Sequence, residues 1–342
     1  MDRKNPTMEM IAAAAGVSKM SVSRCLRGHP SNSKETQDRI RKIAEEMGYV
    51  PNPMVSSLMA GIRSRKKGDC STVIAVLDDF EGKRPPLYQR SWSEHIDGLR
   101  SRADQLGYKL DVFRYREQRL NDRSLSRVLR ARNIRGLVIP YQVRIIDLRG
   151  VDLSSFACVA LGYTVKEPDF HRVCPHYYDG MKIALRKVEA FGYRRPGFVT
   201  NANNLVRTKR YYLASYLAEM YSLGRPPRVL CLDDSMGDVK GEIVEWVERE
   251  KVDCLVSSFH EAVTVLKDTG WSIPRDIGYV QLNWTPSFAG LAGVKNRNRL
   301  QGIQAVNLVN AAILSNDYGI PKEPFVHIVR NEWVEGGSLI PR

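Results

Sequence analysis

The side chains best suited to bonding another molecule lie close together in residues 19–24. The segment reads K-M-S-V-S-R, and the helical period places its long or polar side chains on one outward face, namely those of Lys19, Met20, Ser21 and Arg24. Cationic and hydroxyl groups along an exposed helix face are suited to hydrogen bonds with the bases and phosphates of DNA. A helix this short cannot stand alone, so neighbouring elements must hold it in place.

A helix and a tight turn directly before this segment are suited to that task. Apolar residues recur at one-face helical spacing at Met8, Ile11, Ala12 and Ala15. Gly16 follows and suits a left-handed turn position, and Ser18 is placed to cap the second helix. The inner face of that second helix carries Val22, Cys25 and Leu26. Two short helices joined by a tight turn are the pattern of a DNA-reading helix-turn-helix.

Two further helices are predicted in the N-terminal region. Ser33 predicts the start of a third helix that ends near Gly48. Its apolar positions are Ile40, Ile43, Ala44 and Met47. Asn52 and Gly61 bound a fourth, short helix over residues 52–60. This helix is apolar on one side without a neighbour of its own, so we expect it to pair with a second copy of the chain or with DNA.

The positive charge of the chain is unevenly distributed. The 342 residues carry a formal net charge of +14. Residues 1–67 contain 13 Lys and Arg against 6 Asp and Glu, so a fifth of the chain holds half of the excess. A basic end on an otherwise ordinary globular composition indicates a polyanionic partner for that end.

Composition also indicates the compartment. The sequence shows neither a signal peptide nor an apolar run long enough for a membrane helix, so we expect a cytoplasmic protein with no membrane partner. The six cysteines form no C-x-x-C pair, which fits a reducing compartment. Cys158, Cys231 and Cys254 lie in apolar runs, and we expect them in the core.

Catalytic signatures do not occur in the sequence. We find no nucleophile elbow, Walker loop or H-E-x-x-H motif, and the six histidines are scattered. His171 and His176 are close in sequence, but two histidines without a third ligand are a poor metal signal. The sequence therefore predicts no enzyme, no metal site and no cofactor.

After a basic linker over residues 62–70, short β-branched runs alternate with helical segments. The expected strands are 73–77, 109–113, 136–139 and 158–161, then 197–200, 229–232, 254–257 and 278–282. Expected helices between them include 93–106, 180–191 and 207–223. This spacing is typical of βαβ units in a parallel sheet, and two sets of four strands indicate two similar lobes.

The N-terminal pattern resembles the lactose, galactose and purine repressor family of bacterial regulators. The resemblance is carried by I-A-x-x-A-G-V-S, S-V-S-R, residues 33–36, G-Y-V-P-N and Leu58. The body is more weakly similar, through F-G-Y-R-R-P-G at 191–197 and S-I-P-R-D-I-G-Y-V at 272–280. The resemblance implies an all-α helix-turn-helix headpiece with a hinge helix. An α/β core of two Rossmann-like lobes, of the periplasmic-binding-protein-like type I, would follow it.

The expected domain boundaries follow from the resemblance and the composition. We expect the headpiece at residues 1–61, with the hinge helix at 52–60, the linker at 62–70 and the core at 71–342. Within the core, we expect one lobe at about residues 71–162 and 295–324. The other lobe is expected at about residues 163–294 and 325–342.

The resemblance also implies which residues contact DNA. Lys19, Met20 and Arg24 match the base-reading positions of the second helix. Backbone contacts are implied for Ser18, Ser21, Ser23, Ser33 and Asn52. Leu58 matches an apolar residue that the family inserts into the minor groove at the centre of the operator. Plainer roles remain open, because Arg24 could pair with a carboxylate such as Glu9, Met20 could fill a gap in the core, and Leu58 could pack only in a hinge dimer.

A small effector is implied for the cleft between the lobes, where strand ends meet. The candidate effector-binding residues are Asp78, Asp79, Tyr163, Arg207, Phe259, His260, Asn283 and Trp284. Of these, Arg207 matches the family's effector-contacting arginine. The chain departs from the family where acidic residues are usual, because it carries His176-Tyr177 and Phe259-His260 there. Trp284 is suited to stacking on a sugar ring, although a structural aromatic fits equally well.

Together these patterns predict a sequence-specific DNA-binding transcriptional regulator, a repressor, controlled by a small effector for which a sugar is the first candidate. A homodimer would match a near-palindromic double-stranded operator, because protein symmetry imposes symmetry on its site. Two other classes remain open. A transport-type solute-binding protein would share the two-lobed core but not the basic headpiece, and an architectural DNA binder would have lost its ligand.

Overall fold

The computed structural model describes residues 6–26, 33–49, 72–116, 121–233 and 239–342. The chain divides into two compact units, Met1–Ser71 with Ala311–Asp317, and Thr72–Asn310 with Tyr318–Arg342. Described residues 6–49 are called the headpiece below, and the second unit is called the core. The expected hinge helix at 52–60 and the linker at 62–70 lie outside the described residues, as do Asn52 and Leu58.

The headpiece contains the three helices that the sequence predicts. They are α1 Met8–Ala15, α2 Lys19–Cys25 and α3 Lys34–Glu46. Gly16 adopts the left-handed conformation, with φ +64°, and allows the tight turn between α1 and α2. The Ser18 Oγ accepts from the Ser21 amide at 3.1 Å, and the Ser33 Oγ accepts from the Thr36 amide at 3.3 Å. Both predicted caps are therefore confirmed.

One apolar cluster holds the three helices together. Its buried members are Ile11, Ala12, Ala15, Val22, Cys25, Ile40 and Ala44. Leu26, Ile43 and Met47 are partly buried and pack against it. The Arg39 guanidinium also donates to the Ala15 carbonyl at 3.3 Å and joins α3 to the end of α1. Because α2 has its inner face in this cluster, its outward face has a defined direction.

The first of two six-stranded sheets in the core is parallel throughout. Its strands, numbered in chain order through the core, are β1 Val73–Asp78, β2 Lys109–Arg114, β3 Ile134–Ile139, β5 Ala157–Leu161, β7 His171–Pro175 and β13 Val326–Val329. They lie in the order β13-β7-β5-β3-β1-β2. Two short strands, β4 Ile146–Asp147 and β6 Val165–Glu167, pair separately.

The second six-stranded sheet has one antiparallel edge. Its strands are β8 Pro196–Asn201, β9 Val229–Leu232, β10 Cys254–Ser257, β11 Gly278–Leu282, β12 Ala292–Lys295 and β14 Glu332–Val334. They lie in the order β14-β12-β11-β10-β8-β9, and β14 runs antiparallel to β12. The central strands β10 and β11 are buried along their whole length, as expected for a sheet covered on both faces.

Helices alternate with these strands. They are Pro86–Leu106, Asp122–Ala131, Tyr177–Ala190, Ala202–Arg207, Tyr211–Ser222, Val239–Glu250, Ala262–Asp268 and Asn298–Ser315, with a 3-10 turn at Pro286–Phe288. The expectation of one helix over 207–223 is wrong. Lys209 and Arg210 have φ of 48° and 59°, so the chain leaves the helical conformation and starts a new helix at Tyr211. Arg207 therefore ends one helix rather than beginning another.

All eight expected strands are present. Two further strands, β7 and β13, change the expected lobe boundaries. Strand β7 and strand β13 both belong to the first sheet, whereas the expected boundaries place their residues in the second lobe. The first lobe therefore extends to Pro175. After the crossing that follows β12, the chain returns to this lobe and remains in it as far as Val329. The polypeptide crosses between the lobes after β7, after β12 and after β13.

Cys231 is a second correction, because it is exposed, whereas Cys158 and Cys254 are buried as expected. The reason is the position of β9 at the edge of the second sheet. On an edge strand alternate residues face away from the core, and Cys231 lies between the buried residues Leu230 and Leu232.

Candidate DNA interface and effector cavity

The outward face of α2 is accessible in the headpiece. Lys19, Met20 and Arg24 are exposed, and Ser21 and Ser23 are half-buried. Met20 is 63% exposed, so the alternative in which it fills a gap in the core is wrong. Ser18 and Ser33 each accept a backbone hydrogen bond as helix caps, which fixes the hydroxyls at the starts of α2 and α3.

Glu9 has a partner on this face, but it is Lys19 and not Arg24. The Lys19 ammonium donates to the Glu9 carboxylate, and the two side chains are 59% and 65% exposed. Exposed ion pairs contribute about 0 to 1 kcal/mol, so Lys19 exchanges this partner for another acceptor at little cost.

The acidic pair at the end of β1 is occupied by arginines. Asp78 is fully buried and pairs with Arg84 and, at 3.6 Å, with Arg114. Asp79 is 3% exposed, pairs with Arg116 and with Arg144 at 2.7 Å, and accepts from the Tyr115 hydroxyl. Both carboxylates are thus paired with arginines of the first lobe. Neither aspartate lines the cavity between the lobes.

A cavity of about 60 Å³ lies between the two lobes of the core. The first lobe contributes Tyr88, Ser91, His95, Tyr141, Pro175, Asn298 and Gln301. The second lobe contributes Tyr177, Asn204, Arg207, Thr208, Tyr212, Ser258, His260 and Asn283, and Asn296 lies in the crossing after β12. This space, called the inter-lobe cavity below, is lined by amides, hydroxyls, aromatic rings and imidazoles.

Arg207 is the cation of the inter-lobe cavity. Its side chain is only 2% exposed, and Nη1 donates to the Tyr88 hydroxyl at 2.9 Å. The guanidinium carbon lies 5.0 Å from the centre of the Tyr88 ring and 4.5 Å from the centre of the Tyr141 ring. Because both tyrosines belong to the first lobe, this arginine joins the two lobes.

Two imidazoles and two phenols that line the cavity are neutral at pH 7. Burial lowers the pKa of His95 to about 4, and burial together with the nearby Arg207 charge lowers the pKa of His260 to about 4. Burial raises the pKa of Tyr177 and of Tyr212 well above its ordinary value. These phenols therefore act as neutral hydrogen-bonding groups.

Amides form a connected set beside these groups. The Asn296 Nδ2 donates to the Asn283 Oδ1 at 3.0 Å, and the Asn331 Nδ2 donates to the Asn296 Oδ1 at 2.7 Å. Asn296 and Asn331 lie in two of the three crossings between the lobes. The amide set thus links the cavity wall to two of the connections between the lobes.

The structure brings three of the eight candidate effector residues into the cavity, namely Arg207, His260 and Asn283. The other five lie elsewhere. Tyr163 contacts the Tyr211 ring with centroids 5.8 Å apart, and Phe259 and Trp284 pack on the second-lobe apolar cluster. The Trp284 Nε1 donates to the Leu291 carbonyl at 3.0 Å, which holds the indole in that packing.

Sequence reasoning missed the two tyrosines that face Arg207. Tyr141 directly follows the β3 region, at the carboxyl end of a strand where ligand groups gather, so its position was a usable signal. Tyr88 lies in the first turn of the helix Pro86–Leu106. The sequence pattern predicts the start of this helix only at residue 93. Because the predicted helix began too late, Tyr88 was not recognised as a residue of the cavity.

The described residues show no helix that is long and apolar enough to span a membrane. Over the same ranges, no group of three or more His, Cys, Asp and Glu side chains is arranged to hold a metal ion.

A three-helix headpiece, followed along the chain by two α/β lobes with a cavity between them, defines a helix-turn-helix protein with a periplasmic-binding-protein-like core. Residues 7–52 match the model of the lacI family of bacterial regulatory proteins. Over these residues, which are less than a sixth of the chain, the protein is similar to that family of regulatory proteins.

Individual transcriptional regulators are also similar to this chain in sequence or in fold. The HTH-type transcriptional regulator CelR of Thermobifida fusca is 40% identical over 57 residues, which are 17% of each chain. The match thus spans about one sixth of that relative's length. Two solved structures match nearly the whole chain in fold. A CelR complex with cellobiose has a TM-score of 0.58 at 17% identity, and a lac repressor dimer bound to operator and the anti-inducer ONPF has 0.57 at 18%. Each match covers 98% of this chain and 100% of the other.

Proposed function

We propose that this protein is a transcriptional repressor that binds a specific double-stranded operator through the headpiece. The observation that carries the proposal is the outward face of α2, where Lys19, Met20 and Arg24 are exposed while Val22 and Cys25 anchor the helix. An arginine guanidinium can bond two acceptors of a guanine edge, which gives base specificity. The hydroxyls of Ser18, Ser21, Ser23 and Ser33 are proposed to contact phosphates.

The proposed assembly is a homodimer on a near-palindromic site. One headpiece reads one half-site, and the two-fold symmetry of the protein then requires a symmetric operator. The lac repressor dimer bound to operator supports this arrangement through its fold. Contacts of Asn52 with the backbone and of Leu58 with the minor groove are part of the same proposal, on residues outside the described ranges.

We further propose that a small effector binds in the inter-lobe cavity and changes the affinity for DNA. The cavity is made by both lobes, so a ligand that contacts both stabilises one relative placement of the lobes over others. The fold neighbour with bound cellobiose supports a sugar as a first candidate. Arg207, His260 and Asn283 are the proposed contacts that line the cavity.

Selection of bound sequences from random duplex DNA tests the proposed function. The full chain should enrich a near-palindromic sequence, and the enriched motif should give the operator. The control variant carries Lys19→Ala, Met20→Ala and Arg24→Ala, which changes exposed side chains and leaves the apolar cluster of the headpiece intact. Equal enrichment by this variant, or no enrichment by the unchanged protein, would overturn the proposal.

A further inference from the structure

Arg207 is a buried cation without a counter-charge in the part of the chain that the structure describes. Its side chain is 2% exposed, and no carboxylate of the described residues lies within ion-pairing distance of it. Its Nε, moreover, has no hydrogen-bond acceptor among those residues. Removing a cation from water is unfavourable unless an opposite charge and hydrogen bonds replace the lost hydration. The two tyrosine rings offset only part of that loss.

The remaining lining of the inter-lobe cavity does not supply the missing negative charge. Among the described residues, none that lines the cavity is Asp or Glu. The two aspartates that the sequence suggested for the cleft, Asp78 and Asp79, already hold arginines of their own. His95 and His260 are neutral at pH 7, so Arg207 is the one charged side chain among the described residues of the lining.

We propose that the effector is an anion whose acid group is a single carboxylate bound by Arg207, on a molecule with several hydroxyl groups. This inference rests on the proposed effector site and gives its ligand class. The free Nε of Arg207 and its Nη groups offer the forked donor geometry that a carboxylate accepts. A polyhydroxy body suits the amides that line the same cavity, including Asn204, Asn283 and Asn298.

Charge balance favours a carboxylate over a phosphate ester. A carboxylate carries one negative charge and neutralises one guanidinium. A phosphate monoester carries about −1.5 to −2 at pH 7, so it would leave a buried negative charge without a partner. A neutral sugar, the first candidate from resemblance, would leave the arginine uncompensated. A sugar acid satisfies both the cation and the amides.

The test compares small probes: one that carries only a carboxylate, a neutral molecule of the same shape, and inorganic phosphate. Thermal unfolding of the full chain is followed with sodium acetate, with acetamide as the neutral isostere, and with inorganic phosphate, all at one ionic strength set by sodium chloride. Acetate should raise the unfolding temperature of the core by mass action, and acetamide should not. The matched variant Arg207→Met keeps the volume of the side chain and should lose the response to acetate.

Each outcome decides the proposal. Equal stabilisation by acetate and acetamide, no stabilisation by acetate beyond chloride, or an undiminished response in R207M overturns it. Stronger stabilisation by phosphate than by acetate overturns the carboxylate and assigns a phosphate ester. Should R207M fail to fold, Arg207→Lys retains the charge without the fork and should show a weaker but measurable response. The two proposals fail separately, because the response to acetate is measured without DNA and the operator selection is run on the unchanged protein without acetate.

Discussion

Lys19, the first residue of α2, donates to the carboxylate of Glu9 in α1. The pair places a negative charge beside the face proposed to approach DNA. Since both partners are exposed, the pair stabilises the fold little, and its larger effect falls on binding. In free protein the carboxylate competes with a DNA phosphate or base for the same ammonium.

Glu9→Gln should therefore strengthen DNA binding. Removing the competing carboxylate frees Lys19 and removes a charge that repels phosphate, so affinity should rise several-fold at low salt. Fluorescence anisotropy with a labelled duplex at several salt concentrations measures the affinity of each variant for DNA. Glu46→Gln, the same change of charge at the end of α3, serves as the control and should have a smaller effect. Equal effects of the two variants would contradict a specific role for the Lys19–Glu9 pair.

Arg24→Ala should relax sequence preference at one base pair of each half-site. Loss of a bidentate contact with guanine costs about 1 to 3 kcal/mol at that position and leaves the other positions unchanged. Competition binding with operators mutated at single positions gives the profile. Arg41→Ala removes an exposed arginine from α3 and should weaken all sequences alike. If Arg24→Ala shows the same base preferences as the unchanged protein at every operator position, Arg24 does not read a base.

Gly302→Ala should destabilise the core, although alanine is the better helix former. A Cβ at Gly302 would lie 2.4 Å from the His95 carbonyl oxygen and 2.9 Å from the Leu99 amide, both backbone atoms of the helix Pro86–Leu106. Two helices must separate to admit it, at a cost of about 1 to 3 kcal/mol or more. Urea unfolding measures the change.

Gly180→Ala is the matched comparison, because Gly180 is also helical and its added Cβ meets the flexible Asn331 side chain first, at 3.1 Å. It should cost less than Gly302→Ala. A larger cost at Gly180 would show that the close approach of the two first-lobe helices is not the limiting contact.

Stability of the core should fall as the pH is lowered from 6.5 towards 4. Burial lowers the pKa of His95 from 6.5 to about 4, so between these values the unfolded chain binds a proton that the folded chain does not. The stability is complete above pH 6.5, and protonation of this imidazole removes on the order of 3 kcal/mol by pH 4. His260, whose pKa is lowered in the same direction, adds to the effect.

Urea unfolding at a series of pH values measures that dependence. His95→Asn removes the titrating group, so the difference in stability between neutral and acidic pH should shrink. An unchanged difference would show that other groups control the acid sensitivity of the core.

The sequence was sufficient for elements whose local pattern agrees with their environment. The caps at Ser18 and Ser33, the turn at Gly16 and the eight main strands follow from short-range signals, and all are present. The edge strand Glu332–Val334 is three residues long and half-exposed, so it lacks a periodic signal. The break at Lys209 and Arg210 is set by backbone conformation, for which lysine and arginine give no warning.

The cavity was less predictable than the fold. Arg207 was found through resemblance, but its partners Tyr88 and Tyr141 come from sequence positions far before it. The availability of Asp78 and Asp79 could not be judged either. Their arginine partners lie on several separate elements, and only the folded chain shows that both carboxylates are occupied.

The three crossings between lobes set the order in which the core can be completed. Val326–Val329 closes one edge of the first sheet, and Glu332–Val334 closes an edge of the second. During synthesis, neither sheet can gain its last strand until this late stretch has left the ribosome. Pairings between such distant segments form slowly, so a nascent chain leaves one edge of β7 and one edge of β12 unpaired until this stretch has been made.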